Sequence, residues 1–445
     1  MVASGSVPDS VSADVLPEAG GGRTLAEKLV GRAAGRGVRA DEDVSVAVDL
    51  LFAHDSSGPR RWRPRLERLG VGLWDAAKVV VVSDHYVPAV DAASAEILAE
   101  TRAFARDYGV RHLDMRGICH TVLPEHGLVR PGLMIAGGDS HTPTAGAFGA
   151  YAAGFGATDT TAIAVTGETW MTVPRTIRVT LDAALPPLVT AKDVMLTLCR
   201  DLGMSNDFRA VEYAGAGVAA MSMSERMVLS NMAAELGCEA GLIAPDSTTL
   251  AYLALAGATV SRDDLRWRSD ADAHFERSHD VHAGALTPQV AAPHSPANTD
   301  DADAYRGTPI TQAYIGACVG AKHEDLVMAA SVLRGRRVAR GVRLLVAPAT
   351  ARVTAAASRD GTLAALTEAG AILLPSGCGA CAGMGAGLLA AGEVCISTTN
   401  RNFRGRMGSP QADVYLASPY TVAASAVTGT ITDPRAMTDA GRLAA

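Results

Sequence analysis

The sequence predicts an α/β protein built from three consecutive α/β units, and three observations carry that prediction. Short, nearly unbroken apolar runs such as Val79-Val80-Val81-Val82 read as buried strands, and they alternate with longer stretches of helical spacing. Histidine and aspartate recur where such strands end, at His54-Asp55, Asp84-His85 and Asp139-Ser140-His141. In open parallel sheets that is where ligands bind. Finally, 445 residues exceed one ordinary core, so two to four domains are expected.

Residues 1–22 are rich in Gly, Ser, Pro and Asp and are expected to form a flexible tail. The first unit, 23–173, opens on Thr24 and Glu27, a capping-box pattern ahead of an apolar helix. Val44 to Phe52 reads as one strand running into His54-Asp55-Ser56-Ser57. Val79 to Val82 is a second, residues 90–108 are helical, and 111–114 form a short strand before Gly117-Ile118-Cys119-His120. Leu133 to Ala136 is a further strand, ending at Gly138-Asp139-Ser140-His141-Thr142. Glycine-rich 146–156 and an Ala/Thr-rich helix follow.

The second unit, 174–298, begins with a strand from Pro174 to Thr180. Ala191 to Leu202 and Ser224 to Leu236 read as helices, the latter from the spacing of Ser224, Met227, Val228, Met232 and Leu236. Asn231 and Glu235 lie four apart on it and share one face. Residues 268–308 read as an irregular connection. The third unit, 299–445, takes its first strand near Ala313, a helix over 323–333 and a strand from Val342 to Val346. A helix over 361–369 follows, then a strand from Ala371 to Leu374 and a small-residue helix after Pro419.

Apolar residues make up 48% of the chain, enough for a globular fold and against bulk disorder. A net charge of -7 argues against a general polyanion binder. Seven scattered cysteines are not a disulfide framework. The N-terminus lacks a basic start with an apolar core, and no uncharged stretch of about eighteen apolar residues occurs. The cytoplasm is the expected compartment.

Chemistry concentrates in Ser376 to Arg406. Cys378 and Cys381 form a Cys-x-x-Cys in a glycine-rich turn, and Asn400-Arg401-Asn402-Phe403-Arg404-Gly405-Arg406 follows. Soft thiolates select iron–sulfur clusters, zinc or copper(I), and guanidinium selects carboxylate or phosphate. Cys318, at another strand end, joins them as a third thiol, so three corners of a [4Fe–4S] cluster could be held. Zinc is a competitor without an obvious fourth ligand. A small buried apolar role is the ordinary reading of a free cysteine, and it is the one given to Cys119, Cys199, Cys238 and Cys395. His–Asp pairs suit proton transfer, or serve as turn and capping residues.

Taken together these motifs resemble the aconitase superfamily, specifically its 3-isopropylmalate dehydratase and homoaconitase large subunits, over about residues 24–436. The matching stretches are His54-Asp55-Ser56, Asp84-His85-x-x-Pro88, Gly117-Ile118-Cys119-His120 and Gly138-Asp139-Ser140-His141-Thr142. They continue with Ser230-Asn231-Met232-x-x-Glu235, Pro288-Gln289-Val290-Ala291-x-Pro293-His294, Gly316-Ala317-Cys318, Cys378-x-x-Cys381 and Asn400 to Arg406.

The resemblance implies three α/β domains around a central [4Fe–4S] cluster held by Cys318, Cys378 and Cys381, with one iron open to substrate. It implies an acid–base network of Asp84, His85, His120, Asp139, His141 and Glu235. His54, Ser140, Asn231, Asn400, Arg401 and Arg406 would bind substrate. The implied activity is that of a hydro-lyase isomerising a 2-hydroxy di- or tricarboxylate of the 2-alkylmalate type. Homoaconitase or a specialised substituted-malate dehydratase is the alternative. The family's swivelling fourth domain is missing from this chain, so a separate small subunit is expected as partner.

Two departures stand out. Val319-Gly320 follows Cys318 where the family usually has Thr-Asn, and Pro143 and Ala145 alter the loop after the Asp-Ser-His motif. A cluster-sensing RNA-binding protein or an inactive scaffold are readings from other classes. The net acidity and the missing fourth domain count against RNA.

Overall fold

The computed structural model describes residues 21–440. The expected tail lies outside the described residues save for Gly21 and Gly22. Arg39 donates to both of their carbonyls, and the Gly22 amide donates to Asp272. The helix Leu25–Ala34 follows, with the Thr24–Glu27 capping box formed in both directions.

Four sheets organise the chain. The first large one is five-stranded and wholly parallel. In spatial order its strands are Arg111–Asp114, Val79–Ser83, Leu50–His54, Met134–Gly137 and Tyr151–Gly154. The chain moves outward one way from Leu50–His54, then returns to start again at its other side with Met134–Gly137. The order therefore reverses between those two strands, and a crevice opens at their carboxyl ends. His54 closes one strand, and Asp139, Ser140 and His141 follow the other.

The expected single strand from Val44 to Phe52 is in fact two. Asp43–Ala47 pairs antiparallel with Glu168–Thr172 in a two-stranded ribbon, whereas Leu50–His54 enters the parallel sheet. The break falls at Val48-Asp49, because the Asp49 carboxylate turns aside to pair with Arg32 and to accept the Met134 amide at 2.7 Å. Burial follows the two environments: alternate residues are buried in the ribbon strand and every residue in the sheet strand.

A four-stranded parallel sheet follows, in the order Ala240–Ile243, Arg209–Ala214, Arg175–Leu181 and Arg277–Val281. The third sheet has seven strands: Thr299–Asp301, Gln289–Ala291, Asp413–Ala417, Val394–Ser397, Gln312–Ile315, Arg343–Val346 and Ile372–Leu373. Its first two pairings are antiparallel and the rest parallel. The stretch 268–308 is thus not irregular. It carries three strands of three to five residues, two of them at sheet edges, where Asp and His point to solvent. One apolar core runs from the four-stranded sheet into the seven-stranded one, through Val179, Leu196, Val228, Val290, Ile315 and Val346. No helix among the described residues is long and apolar enough to cross a membrane.

Candidate functional site

The carboxyl ends of the five-stranded sheet deliver a packed group of imidazoles and carboxylates. His54, Asp55, Asp84 and His85 present ligand-type atoms within 4.8 Å of one another, and so do His120, Asp139 and His141. Asp84 Oδ1 bonds His85 Nδ1 at 2.7 Å, and Asp84 Oδ2 accepts the Cys119 amide at 2.7 Å. The rings of His54 and His85 stack. Asp139 lies at the hub: Oδ1 meets His120 Nε2 at 2.8 Å and the His141 amide at 2.7 Å. Its Oδ2 lies 3.4 Å from His54 Nε2 and 3.9 Å from His85 Nε2.

From the second unit, the helix Met223–Asn231 ends at Asn231 and continues as a single 3-10 turn, Met232–Ala234, instead of running unbroken to Leu236. Asn231 and Glu235 still face one site. Glu235 Oε1 meets His141 Nε2 at 3.0 Å and accepts from Arg401 Nε at 2.7 Å. Arg401 Nη1 donates to Ser140 Oγ at 3.0 Å. Asn231 Nδ2 donates to the Cys318 sulfur at 3.1 Å and to Thr144 Oγ1 at 2.7 Å, and the Asn400 amide bonds the Asn231 carbonyl.

These contacts set the charges. Burial works against a protonated His85, but the Asp84 carboxylate outweighs it and raises the ring to about 9. Asp84 and Asp139 are held low, the imidazoles overcoming burial. Burial opposes the Glu235 anion, but His141 and Arg401 lower its pKa, and Glu235 in turn raises that of His141 against the same penalty. Asp55 moves the other way, raised by burial and by Asp84 beside it. The Glu235 Oε2 atom is buried without a hydrogen-bond partner among the described residues.

The three sequence-predicted thiols arrive from the seven-stranded sheet. Cys318 follows the strand Gln312–Ile315 after Ala317, which takes a left-handed φ of 69°. Cys378 and Cys381 bracket a tight turn. The Cys378 amide donates to the Asp84 carbonyl at 2.8 Å, which ties that turn to the acid–base group. Gly377 permits this docking, since a Cβ there would stand 2.8 Å from the Asp84 oxygen. None of the seven cysteines is in a disulfide. Burial and then Cys381 push the Cys318 thiol up to about 12, while burial, Asp84 and Cys381 push Cys378 well above its usual range. Thiols that oppose each other's ionisation suit a bound soft cation, which supplies the missing positive charge. With an amide donor on Cys318, the donor set fits an iron–sulfur cluster held at three corners.

The departures after Cys318 have a physical reason. Val319 is buried, and a Cβ at residue 320 would lie 2.2 Å from Thr398 Cβ and Oγ1. Thr398 Oγ1 instead bonds the Gly316 amide and carbonyl, both at 2.9 Å, and pins the loop with its own hydroxyl. Arg406 stays apart from the network, its buried Nε without a partner among the described residues. Asp55 enters the site without having been singled out. Asp55 accepts the His85 and Tyr86 amides at 3.1 and 3.0 Å, and only its place in His54-Asp55-Ser56 pointed to it. A cleft of about 400 Å³, walled in part by Phe155, Trp170, Met171 and Phe208, leads from the surface to Ser140 and Arg401.

Comparison with known proteins follows the same pattern. The Aconitase family (aconitate hydratase) profile matches residues 37–302 and 298–429. A 3-isopropylmalate dehydratase large subunit 1 from Methanopyrus kandleri is 45% identical over 418 residues, 93% of this chain and 99% of that protein. The homoaconitase large subunit of Thermus thermophilus is 43% identical over 417 residues, 93% of this chain and 97% of the other. A probable methanogen homoaconitase large subunit from Methanothermobacter thermautotrophicus is 42% identical over 419 residues, covering 92% and 97%. Among solved structures, the holo-form of Thermococcus kodakaraensis aconitase X matches with a TM-score of 0.47 and 14% identity, over 84% of this chain and 89% of that one.

Proposed function

The chain belongs to the aconitase family and is a hydro-lyase, and from that premise we propose that it is the large subunit of a two-subunit enzyme isomerising a 2-alkylmalate of the 3-isopropylmalate type. The observation that carries the reading is the end of one helix. Asn231 there bonds the Cys318 sulfur, while Glu235, four residues on, meets His141 and Arg401. Metal-type and proton-transfer chemistry thus share one wall.

In this reading Cys318, Cys378 and Cys381 hold a [4Fe–4S] cluster. When bound, such a cluster supplies a Lewis-acidic iron that weakens the bond from carbon to a substrate hydroxyl. Arg401, oriented by Glu235 and Ser140, clamps a substrate carboxylate, and Arg406 brings a second guanidinium. His85 holds a proton at Nε2, kept there by Asp84 on Nδ1, and delivers it to the departing hydroxyl oxygen. Asp139 fixes His120 and His141 around it, and Glu235 accepts and returns a proton at Oε2. His54, Asn231 and Asn400 complete the polar wall.

The relatives' description as large subunits supports a small-subunit partner, which would bring the base for the α-proton. Two of the relatives are described as homoaconitase subunits, which favours a longer carboxylate arm as the second reading. Seven unpaired thiols suit a reducing compartment such as the cytoplasm. The test is anaerobic reconstitution with iron, sulfide and the small subunit, followed by a panel of 2-alkylmalates and homocitrate-type acids. Hydration and dehydration that vanish together with the bound iron are expected. Full activity in a metal-free preparation would overturn the reading.

A further inference from the structure

Asp55 follows the strand Leu50–His54, is fully buried, and takes no part in the proton transfers proposed for the site. Its own amide donates to the Val82 carbonyl at 3.0 Å, which carries the parallel pairing one residue past the strand. Its carboxylate then reaches across to the chain that leaves the neighbouring strand, Val79–Ser83. Oδ1 accepts the His85 amide at 3.1 Å, and Oδ2 accepts the Tyr86 amide at 3.0 Å. Oδ1 also accepts the Ser56 amide at 3.1 Å, a donor shared with His54 Nδ1 at 3.2 Å. Two acceptor oxygens facing separate backbone N–H groups are what a carboxylate offers. An asparagine would turn donors of its own against one of them.

Stability alone does not favour such a group. Asp55 is dry, and an oxygen of Asp84 lies within 4.8 Å of one of its own. Two neighbouring carboxylates withdrawn from water oppose each other's charge. What the bracket does is fix the backbone from which the His85 ring hangs. That ring must keep Nδ1 on Asp84 at 2.7 Å, its face on His54, and Nε2 toward Asp139 Oδ2. His54 precedes Asp55 in the chain, so the bracket joins the two stacked rings through their own backbones. We propose that Asp55 is a positioning residue for His85, holding its imidazole where a proton can pass to the departing hydroxyl.

This inference rests on the reading of His85 as the proton donor, and a double-mutant cycle separates the two. Wild type, Asp55→Asn, His85→Gln and the double variant are assayed with the small subunit. Asp55→Asn is expected to lower kcat about 10- to 100-fold, as a misplaced catalytic group does, and to change KM by less than about twofold. The double variant should be no slower than His85→Gln alone, because the bracket acts through that ring. In the metal-free chain, amide hydrogen exchange at His85 and Tyr86 should rise about tenfold in Asp55→Asn, while Val79 to Val82 keep their protection. A wild-type pair inactive on every acid tried would sink the hydro-lyase reading and this inference with it. An active wild type unaffected by His85→Gln would remove the proton donor, and the inference again with it. With both readings sound, additive losses in the double variant overturn the inference alone. So does an Asp55→Asn with wild-type kcat, or with unchanged exchange at the two amides. If Asp55→Asn does not fold, Asp55→Ser replaces it under the same criteria.

Discussion

The imidazoles of His54 and His85 lie face to face, 3.8 Å between ring centroids and 13° from parallel, with Asp139 Oδ2 beside both. Only His85 has a carboxylate on its far nitrogen at hydrogen-bond length, so the two rings are not equivalent. His85→Gln should therefore lower kcat of the assembled enzyme by about 10²- to 10⁴-fold, the usual worth of a positioned acid. His54→Phe keeps a ring in the stack and should cost markedly less. Steady-state rates of both variants with the small subunit check this. Equal losses would remove the distinction.

Glu235 supplies the charge that raises the His141 pKa against burial. With Glu235→Gln the favourable term goes while burial remains, so the His141 pKa should fall. Histidine ring titrations by nuclear magnetic resonance on the metal-free chain would show it. An unmoved or raised value would contradict the assignment.

Asn231 is the closest donor to the Cys318 sulfur, at 3.1 Å. Asn231→Ala should weaken metal retention about 10- to 100-fold, as lost outer-shell partners commonly do. Iron release to a chelator, followed by the fading of visible absorption, is the measurement. Far-ultraviolet circular dichroism confirms that the variant is folded.

Gly320 has no room for a side chain. Gly320→Asn restores the residue type usual in the family yet should destabilise the chain by about 1–3 kcal/mol, because Thr398 would have to move. Thermal denaturation of the metal-free chain reads the effect, and an unchanged or higher Tm would show that Thr398 yields freely.

Much of the site was legible because parallel strands buried on both faces read as continuous apolar runs. Val79 to Val82 announced itself, and Asp84 and His85 came with it. Tyr151–Gly154 did not, since Tyr-Ala-Ala-Gly has neither branching nor alternation, and Arg209–Ala214 is interrupted by Glu212. The strands within 268–308 are too short to show a period. The thiols were visible by residue type. Arg406 shows the opposite limit: its motif is plain, yet its buried Nε meets no partner among the described residues.

The bond from the Cys378 amide to the Asp84 carbonyl joins the tip of the seven-stranded sheet to the tip of the five-stranded one. In the proposed mechanism, sulfur and proton donor therefore share a reaction centre only while those two bodies are seated together. Slack at that seam of even an ångström would be felt in turnover while both bodies remained fully folded, so catalysis is a finer gauge of their docking than any melting curve.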